Sequence, residues 1–505
     1  MKVKKIGKKE RKKEFNKIML SLLLIIPLIG SFIILPIQED SENNKLKMKN
    51  IAIGFSILNF IFSIYLWVQF DSSYTNYQFV YEFTDIKFLQ FNIGVDGLSM
   101  FFVILTTMIT PIALLSNYHT ITKNLKYYLI SFLVLETLQI AVFVVLDLIL
   151  FYVFFESVLP ILFIIIIAYG SGERKDRSAL LFFLYTLAGS LFMLLAILEL
   201  YSYVGSTDFQ LLSTDITSNI KLDYQSLLWL AFFLAFAIKT PLWPMTGWLF
   251  RAHADSPLAG SIILAATILK LATYGYLRVL INFFPDATHF YNPLVQTIAI
   301  ITIIFASLAT IVQQDSKSLI AYSSISHMGV VVLGLFSNSI QGIEGALLLS
   351  LAHGFVSPAL FIYVGGVLYE RTGTRNFLYL RGLVHFMPVG TILFFIFTLC
   401  NTGIPLSLNF LGEQMSLIGI WDRSPIIAIL GSTGIVLSAC YSIFLYNRIS
   451  YGRVSPHIQK TLLDLREIEF TSLISLLIPT LLLGILPNII LNKVHLSVTT
   501  LLNVY

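Results

Sequence analysis

Glu136, Glu156, Lys239, Lys270, His327, His353 and Glu413 stand inside stretches that are otherwise apolar. A charged side chain in that setting costs about 2.5–3.5 kcal/mol on insertion scales, so each calls for a reason. Carboxylate, ammonium and imidazole share one capacity, which is to take up and release protons. The other reactive residues do not extend the list. Cys400 and Cys440 are far apart, with no CxxC and no His/Cys pairing of ligand spacing, which argues against an iron–sulfur cluster or a structural zinc. No GxGxxG follows a strand pattern and no GxxxxGK[ST] occurs, so neither a dinucleotide site nor a P-loop is supported. Proton movement is the chemistry these residues can do, and any redox work is expected in a partner.

Spacing adds detail. Lys239 is followed by Pro241 and Pro244, and Glu413 is preceded by Gly403 and Pro405. Proline lacks an N–H and clashes one turn back, so both helices are expected to open beside their charge. A lysine in apolar surroundings releases its proton more readily, and a nearby carboxylate restores its hold. At about 7 Å and an effective dielectric near 20, the two attract by about 2.4 kcal/mol. Motion of Glu156 toward or away from Lys239 is therefore expected to load and unload the lysine. Lys270, His327 and His353, with Ser323, Ser324, Ser326 and water, would then pass the proton along the membrane midplane toward Glu413. Moving one charge against 100 mV costs about 2.3 kcal/mol, which is within reach of such a relay. The competing explanation is structural: a paired charge, or a neutral histidine satisfied by serine or backbone. Asp147 is expected near an interface, and Arg278 to snorkel from a helix end.

These residues need a scaffold that lipid can surround. Of 505 residues 56% are hydrophobic and 12% charged, which places the chain in a bilayer. Apolar runs long enough to span recur about fourteen times, giving an all-α integral membrane fold rather than a β-barrel, whose short strands would alternate polar and apolar. The fourth to eighth helices and the ninth to thirteenth read as two inverted five-helix repeats, with the seventh (225–250) and twelfth (389–420) broken. Five is odd, so the second copy enters from the opposite side, the arrangement of inverted-repeat transporters. The expected divisions are a basic N-terminal arm (1–17), three helices (18–118), a first repeat (127–283), a second repeat (291–447) and a C-terminal crossing (470–492).

The arm carries nine basic residues against Glu10 and Glu14, or about +7, so the remainder of a +5 chain is slightly acidic. It is read as touching lipid headgroups or an acidic partner rather than as a targeting peptide. Loops after odd-numbered helices hold most of the Lys and Arg, among them Lys123, Arg174, Arg371, Arg381 and Arg453; loops after even-numbered ones hold Lys87, Lys221 and Arg423. The positive-inside rule puts the odd loops in the matrix or cytoplasm and both termini opposite, a placement the basic arm opposes.

Long segments in order carry a family resemblance: FYVFFESVLPILFIIIIAYGSGERKDRSALLFFLYTLAGSLFMLLAI from 151, AFAIKTPLWPMTGWL from 235, AHADSPLAGSIILAATILKLATYGYLR from 252, QQDSKSLIAYSSISHMGVVVLG from 313 and NFLGEQMSLIG from 409. They resemble the chain 4 family of NADH-ubiquinone oxidoreductase, respiratory complex I, over about residues 90–450. The resemblance implies a proton-pumping, antiporter-like subunit in which Glu156 pairs with Lys239, in which Lys270, His327 and His353 form the relay, and in which Glu413 ends it; Glu136 stays a further candidate on its apolar setting alone. A terminal glutamate, and the absence of a long lateral helix at the C-terminal end, point to chain 4 rather than chains 2 and 5. Phe250 and Arg251 depart from the family pattern just before Ala252.

By the same resemblance the chain holds no cofactor, while FMN, iron–sulfur clusters and ubiquinone belong to partner subunits. Its partners are other membrane-arm subunits, especially the antiporter-like chains 2 and 5, and membrane lipids, with no nucleic acid. A mitochondrial inner membrane is implied, with a bacterial plasma membrane as the alternative. A subunit of a multisubunit sodium/proton antiporter is the second reading, and a structural membrane spacer the third.

Overall fold

In hydrocarbon a backbone N–H or C=O finds no water, so apolar runs of spanning length satisfy themselves as helices. The computed structural model describes residues 19–83, 91–219, 221–456 and 462–502. The basic arm of residues 1–17 lies outside them. Eleven of the described helices are long and apolar enough to cross a membrane, and Met19–Ile34, Met100–Ser116 and Pro388–Asn401 are shorter apolar ones. Together they make the fourteen expected.

In chain order, α1 (Met19–Ile34), α2 (Glu42–Gln69) and α3 (Met100–Ser116) precede α4 (Leu125–Val144), α5 (Leu148–Tyr169) and α6 (Lys175–Val204). After α7 (Phe209–Asn219), the seventh crossing is α8 (Leu222–Lys239) followed by the short α9 (Leu249–Asp255). Then come α10 (Leu258–Ile281), α11 (Pro285–Val312), α12 (Ser316–Leu335) and α13 (Ile340–Thr372). The twelfth crossing is split into α14 (Pro388–Asn401) and α15 (Leu408–Trp421), and α16 (Pro425–Ser450), α17 (Glu467–Ile485) and α18 (Asn488–Leu502) complete the chain. The helices that carry Lys270, His327 and His353 are the most enclosed: the spanning windows of α10, α12 and α13 are 94, 94 and 100% buried, against 28% for α2 at the edge.

Both expected breaks are present. α8 ends at Lys239, and the indole N–H of Trp248 donates to the carbonyl of Ile238, which the interrupted helix leaves without its usual partner. The second break runs through Gly403 and Leu406, at φ of 73° and 77°. Leucine in the left-handed region costs of order 1–3 kcal/mol, so this turn stores strain next to Glu413. A correspondence between the halves appears at two aspartates. Asp147 caps α5 and forms a bridge with Asp208; Asp315 caps α12 and forms a bridge with Asn376. Both members of the second bridge lie 168 residues beyond their counterparts.

The helical fold has one addition, and two expectations need correction. The addition is a hairpin, β1 (Gln78–Phe83) and β2 (Phe91–Val95), paired antiparallel with Tyr81 opposite Ile93; its strands are too short to signal against so apolar a background. The last crossing, placed at 470–492, ends at Ile485 because Pro487 cannot donate, and α18 follows as a separate helix. Arg278 does not snorkel: it is 5% exposed and donates to Asp96, Nη2 to Oδ2 at 2.6 Å.

Candidate proton relay

Lys270 sits on α10 just after a π-helical stretch, Leu264–Ile268. A π turn displaces one carbonyl from the helical ladder, and such turns gather at functional sites. Here the Ala265 carbonyl accepts from the Lys270 ammonium at 2.6 Å. The ammonium also meets His353 Nδ1 on α13 at 2.7 Å, and no part of Lys270 is exposed. His353 Nε2 is buried with no hydrogen-bond partner. Across from it lies the ring of His327 on α12, 5.9 Å between centroids, whose own Nε2 is equally unpartnered. His327 Nδ1 contacts Glu413 Oε1 on α15 at 3.1 Å. Four of the expected residues, from four helices, thus form one line: Lys270, His353, His327, Glu413.

The end of the line is shaped by the second break. Gly403 faces the carboxylate, and a Cβ there would stand 2.7 Å from Glu413 Oε2. Beyond Glu413 opens an apolar cleft of about 360 Å³, rimmed by Trp421 and Ile429, which are more than half exposed. Gly403→Ala is therefore expected to push the carboxylate off His327 and to add left-handed strain of about 1–2 kcal/mol. The check is the ratio of protons moved to NADH oxidised: it should fall in G403A while assembly persists, and an unchanged ratio would show that the position of this carboxylate does not matter.

Glu156 and Lys239 come near each other without the expected contact. Lys239, on the last turn of α8, donates to the Phe155 carbonyl at 2.9 Å and lies 3.3 Å from the centre of the Phe155 ring. Glu156 Oε1 is buried without a partner. The two still feel each other's charge. The ammonium is thus parked one residue away from its carboxylate, held by a carbonyl and a ring face. Among the described residues no hydrogen bond joins Lys239 to Lys270. Glu136 is apart from both groups: it accepts from Asn59 Nδ2 of α2 at 2.7 Å, with its other oxygen unpartnered.

Sequence reasoning passed over two residues. His253 on α9 is wholly buried, with both ring nitrogens unpartnered, and stacks on Phe361 at 4.7 Å. Lys317, in the first turn of α12, is 3% exposed and donates to the Ser256 carbonyl at 2.8 Å. Between them, Ser256 and Ser261 share a hydroxyl contact of 2.7 Å, and Ser261 donates to the His253 carbonyl at 3.2 Å. Lys317 also lines a cavity of about 420 Å³ with Ser256, Glu370 and Arg375. The signal was in the sequence: His253 sits in the quoted run from 252, and Lys317 at the polar edge of an apolar helix. The departure at Phe250 and Arg251 is accommodated, since Phe250 stacks on Tyr322 at 4.8 Å and Arg251 is exposed.

Known proteins are similar to this chain in sequence and fold. Residues 146–438 match the family described as NADH:quinone oxidoreductase/Mrp antiporter, TM. NADH-ubiquinone oxidoreductase chain 4 of Mycosarcoma maydis is 58% identical over 96% of this chain and 99% of its own length. NADH-quinone oxidoreductase subunit M of Rickettsia prowazekii (strain Madrid E) is 41% identical over 96% and 98%. A chain of the solved respiratory complex I from Thermus thermophilus with bound NADH superposes with a TM-score of 0.86 at 26% identity, covering 96% of this chain and 99% of that one. With the fold, the split helices and these relatives in agreement, the chain belongs to the NADH-ubiquinone oxidoreductase chain 4 family of multi-pass membrane proteins.

Proposed function

We propose that this chain is a membrane-arm subunit of respiratory complex I, in a mitochondrial inner membrane, and that it moves protons through the line Lys270, His353, His327, Glu413. The observation that carries the reading is the pair of unpartnered Nε2 atoms between two charged contacts. The Lys270 ammonium donates to His353 Nδ1, so the ring proton of His353 is on Nε2. Glu413 accepts from His327 Nδ1–H, which leaves the lone pair of His327 on Nε2. A donor on one ring and an acceptor on the other thus stand in facing roles, directly or through a water. One proton leaves Lys270 for His353 Nδ1, the His353 Nε2 proton passes to His327 Nε2, and the His327 Nδ1 proton reaches Glu413. The net change is a neutral lysine and a protonated glutamate.

Lys317, Ser256, Ser261 and His253 supply an intake from the 420 Å³ cavity toward Lys270, and Glu156 with Lys239 forms the switch one repeat unit away. We take residues 127–283 and 291–447 as the two units that hold these groups. Electrons travel elsewhere: FMN, iron–sulfur clusters and ubiquinone are assigned to partner subunits, and the antiporter-like chains 2 and 5 are the proposed neighbours. A sodium/proton antiporter subunit is the second reading, since the matched family spans both kinds of protein.

Gentle solubilisation, native electrophoresis and staining for NADH dehydrogenase activity separate the two. This polypeptide is expected in a very large band that stains. Recovery only in a smaller band without NADH activity would move it to the antiporter class and remove the redox drive.

A further inference from the structure

From Lys270, α10 carries a second polar line whose other members the relay does not use. Lys270, Tyr274 and Arg278 are spaced by four residues, so they share one face of the helix. Arg278 Nε donates to the Tyr274 hydroxyl at 3.0 Å, and Arg278 Nη2 to Asp96 Oδ2 at 2.6 Å. Asp96 and Arg278 then line a polar cavity of about 620 Å³ together with Glu82, Asn92, Asp208 and Thr500, on the face that bears the hairpin and α18. From this cavity, polar groups reach one helical turn short of Lys270.

That last turn is dry. The Tyr274 ring is enclosed by Phe143, Phe102 and Phe151, with centroids 5.3, 6.3 and 6.3 Å away. Phe102 and Phe143 stack on each other at 5.3 Å. The Tyr274 hydroxyl gives its proton to the Phe143 carbonyl at 3.2 Å, so that proton is already committed. Lys270 is committed elsewhere, to Ala265 and His353.

We propose that Phe102, Phe143, Phe151 and Tyr274 are a proton seal, and that Tyr274, Arg278 and Asp96 form a latent outlet from Lys270 to the polar cavity. The inference rests on the reading of Lys270 as a proton carrier. Once water enters beside Tyr274, the Lys270 ammonium loses one proton to that water. The Tyr274 oxygen accepts that proton and releases its own hydroxyl proton to a second water, which passes a proton to the Asp96 carboxylate as a new O–H bond. Arg278 stays charged throughout, because a guanidinium does not give up its proton in a protein, and it orders the acceptor. With the seal intact, a proton on Lys270 has the imidazole line as its route and is not lost across the membrane.

The test uses membrane vesicles holding the whole assembled complex, with assembly verified on a native gel. The passive decay of an imposed pH gradient is followed without NADH, and then the protons moved per NADH. Phe143→Ser is expected to speed the decay several-fold and to lower the protons moved per NADH, whereas Phe143→Leu, still apolar, should behave as the wild type. Adding Tyr274→Phe to F143S should slow the leak again, because the hydroxyl step is gone. Phe102→Ser and Phe151→Ser open the same seal from other sides and serve where F143S does not assemble. A wild-type decay rate in whichever of these assembles overturns the proposal. If Lys270→Met meanwhile stops pumping, the relay reading stands without the seal; if K270M pumps normally, the relay reading itself has failed.

Discussion

Lys270→Met should lower NADH-driven proton translocation by about tenfold or more, the scale on which a positioned proton-transfer group acts, while the complex still assembles. Methionine fills nearly the same space, so the packing of α10 against α13 is kept. What is lost is the group that binds both the Ala265 carbonyl and His353 Nδ1. The freed carbonyl and imidazole cost about 1–3 kcal/mol each, partly offset because an ammonium no longer has to be buried. Lys239→Met and Glu156→Gln should shift the same measurement in the same direction. E156Q tests more than a contact, since Glu156 and Lys239 interact by charge without a hydrogen bond. Proton uptake read with a pH dye, beside NADH oxidation in the same preparation, decides the matter. Wild-type rates in all three variants would remove the assigned mechanism.

Arg278→Met should do the opposite: it should reduce the amount and heat stability of the assembled complex. Eight residues from Lys270 on the same helix face, Arg278 forms an ion pair with Asp96 in which both side chains are less than a tenth exposed. Removing one partner of such a pair leaves an uncompensated buried charge and costs about 3–5 kcal/mol. Asp96→Asn combined with R278M should recover a large part, because the stranded charge is then gone. Thermal melting of the purified complex, with native-gel yield as a second readout, measures both. If R278M melts like the wild type, the pair is not holding the hairpin side of the protein together.

These two positions show where sequence was readable. Lys239 and Glu413 announced themselves because the breaks beside them are made by local chemistry, Pro241 and Pro244 in one case and Gly403 and Pro405 in the other. Fourteen crossings followed from apolar runs of spanning length. Arg278 was misjudged because its partner Asp96 is 182 residues away, and a residue near a helix end looks the same whether it reaches for water or for a buried carboxylate. The Lys270–His353 contact bridges 83 residues and needs the π turn at Leu264–Ile268, for which no residue type is a signature. The coupling of Glu156 with Lys239 was read from the chemistry of buried charges and from family likeness, whereas the hold of Phe155 on the ammonium depends on a fold-level contact across 84 residues. His253 was passed over for a different reason: it lies in a short helix beyond the first break, where no apolar run marks it as buried.

The unpartnered Nε2 atoms of His353 and His327 bear on timing as well as direction. After one proton has passed, each imidazole carries its hydrogen on the nitrogen that began as an acceptor. His353 then presents no free lone pair to Lys270, and His327 no hydrogen to Glu413. Until both rings turn over, or the transfer is reversed, the next proton finds the passage facing the wrong way. On the proposed route the two histidines would therefore work as a turnstile that admits one proton and must be reset, tying the pace of the subunit to the rotation of two tightly packed rings.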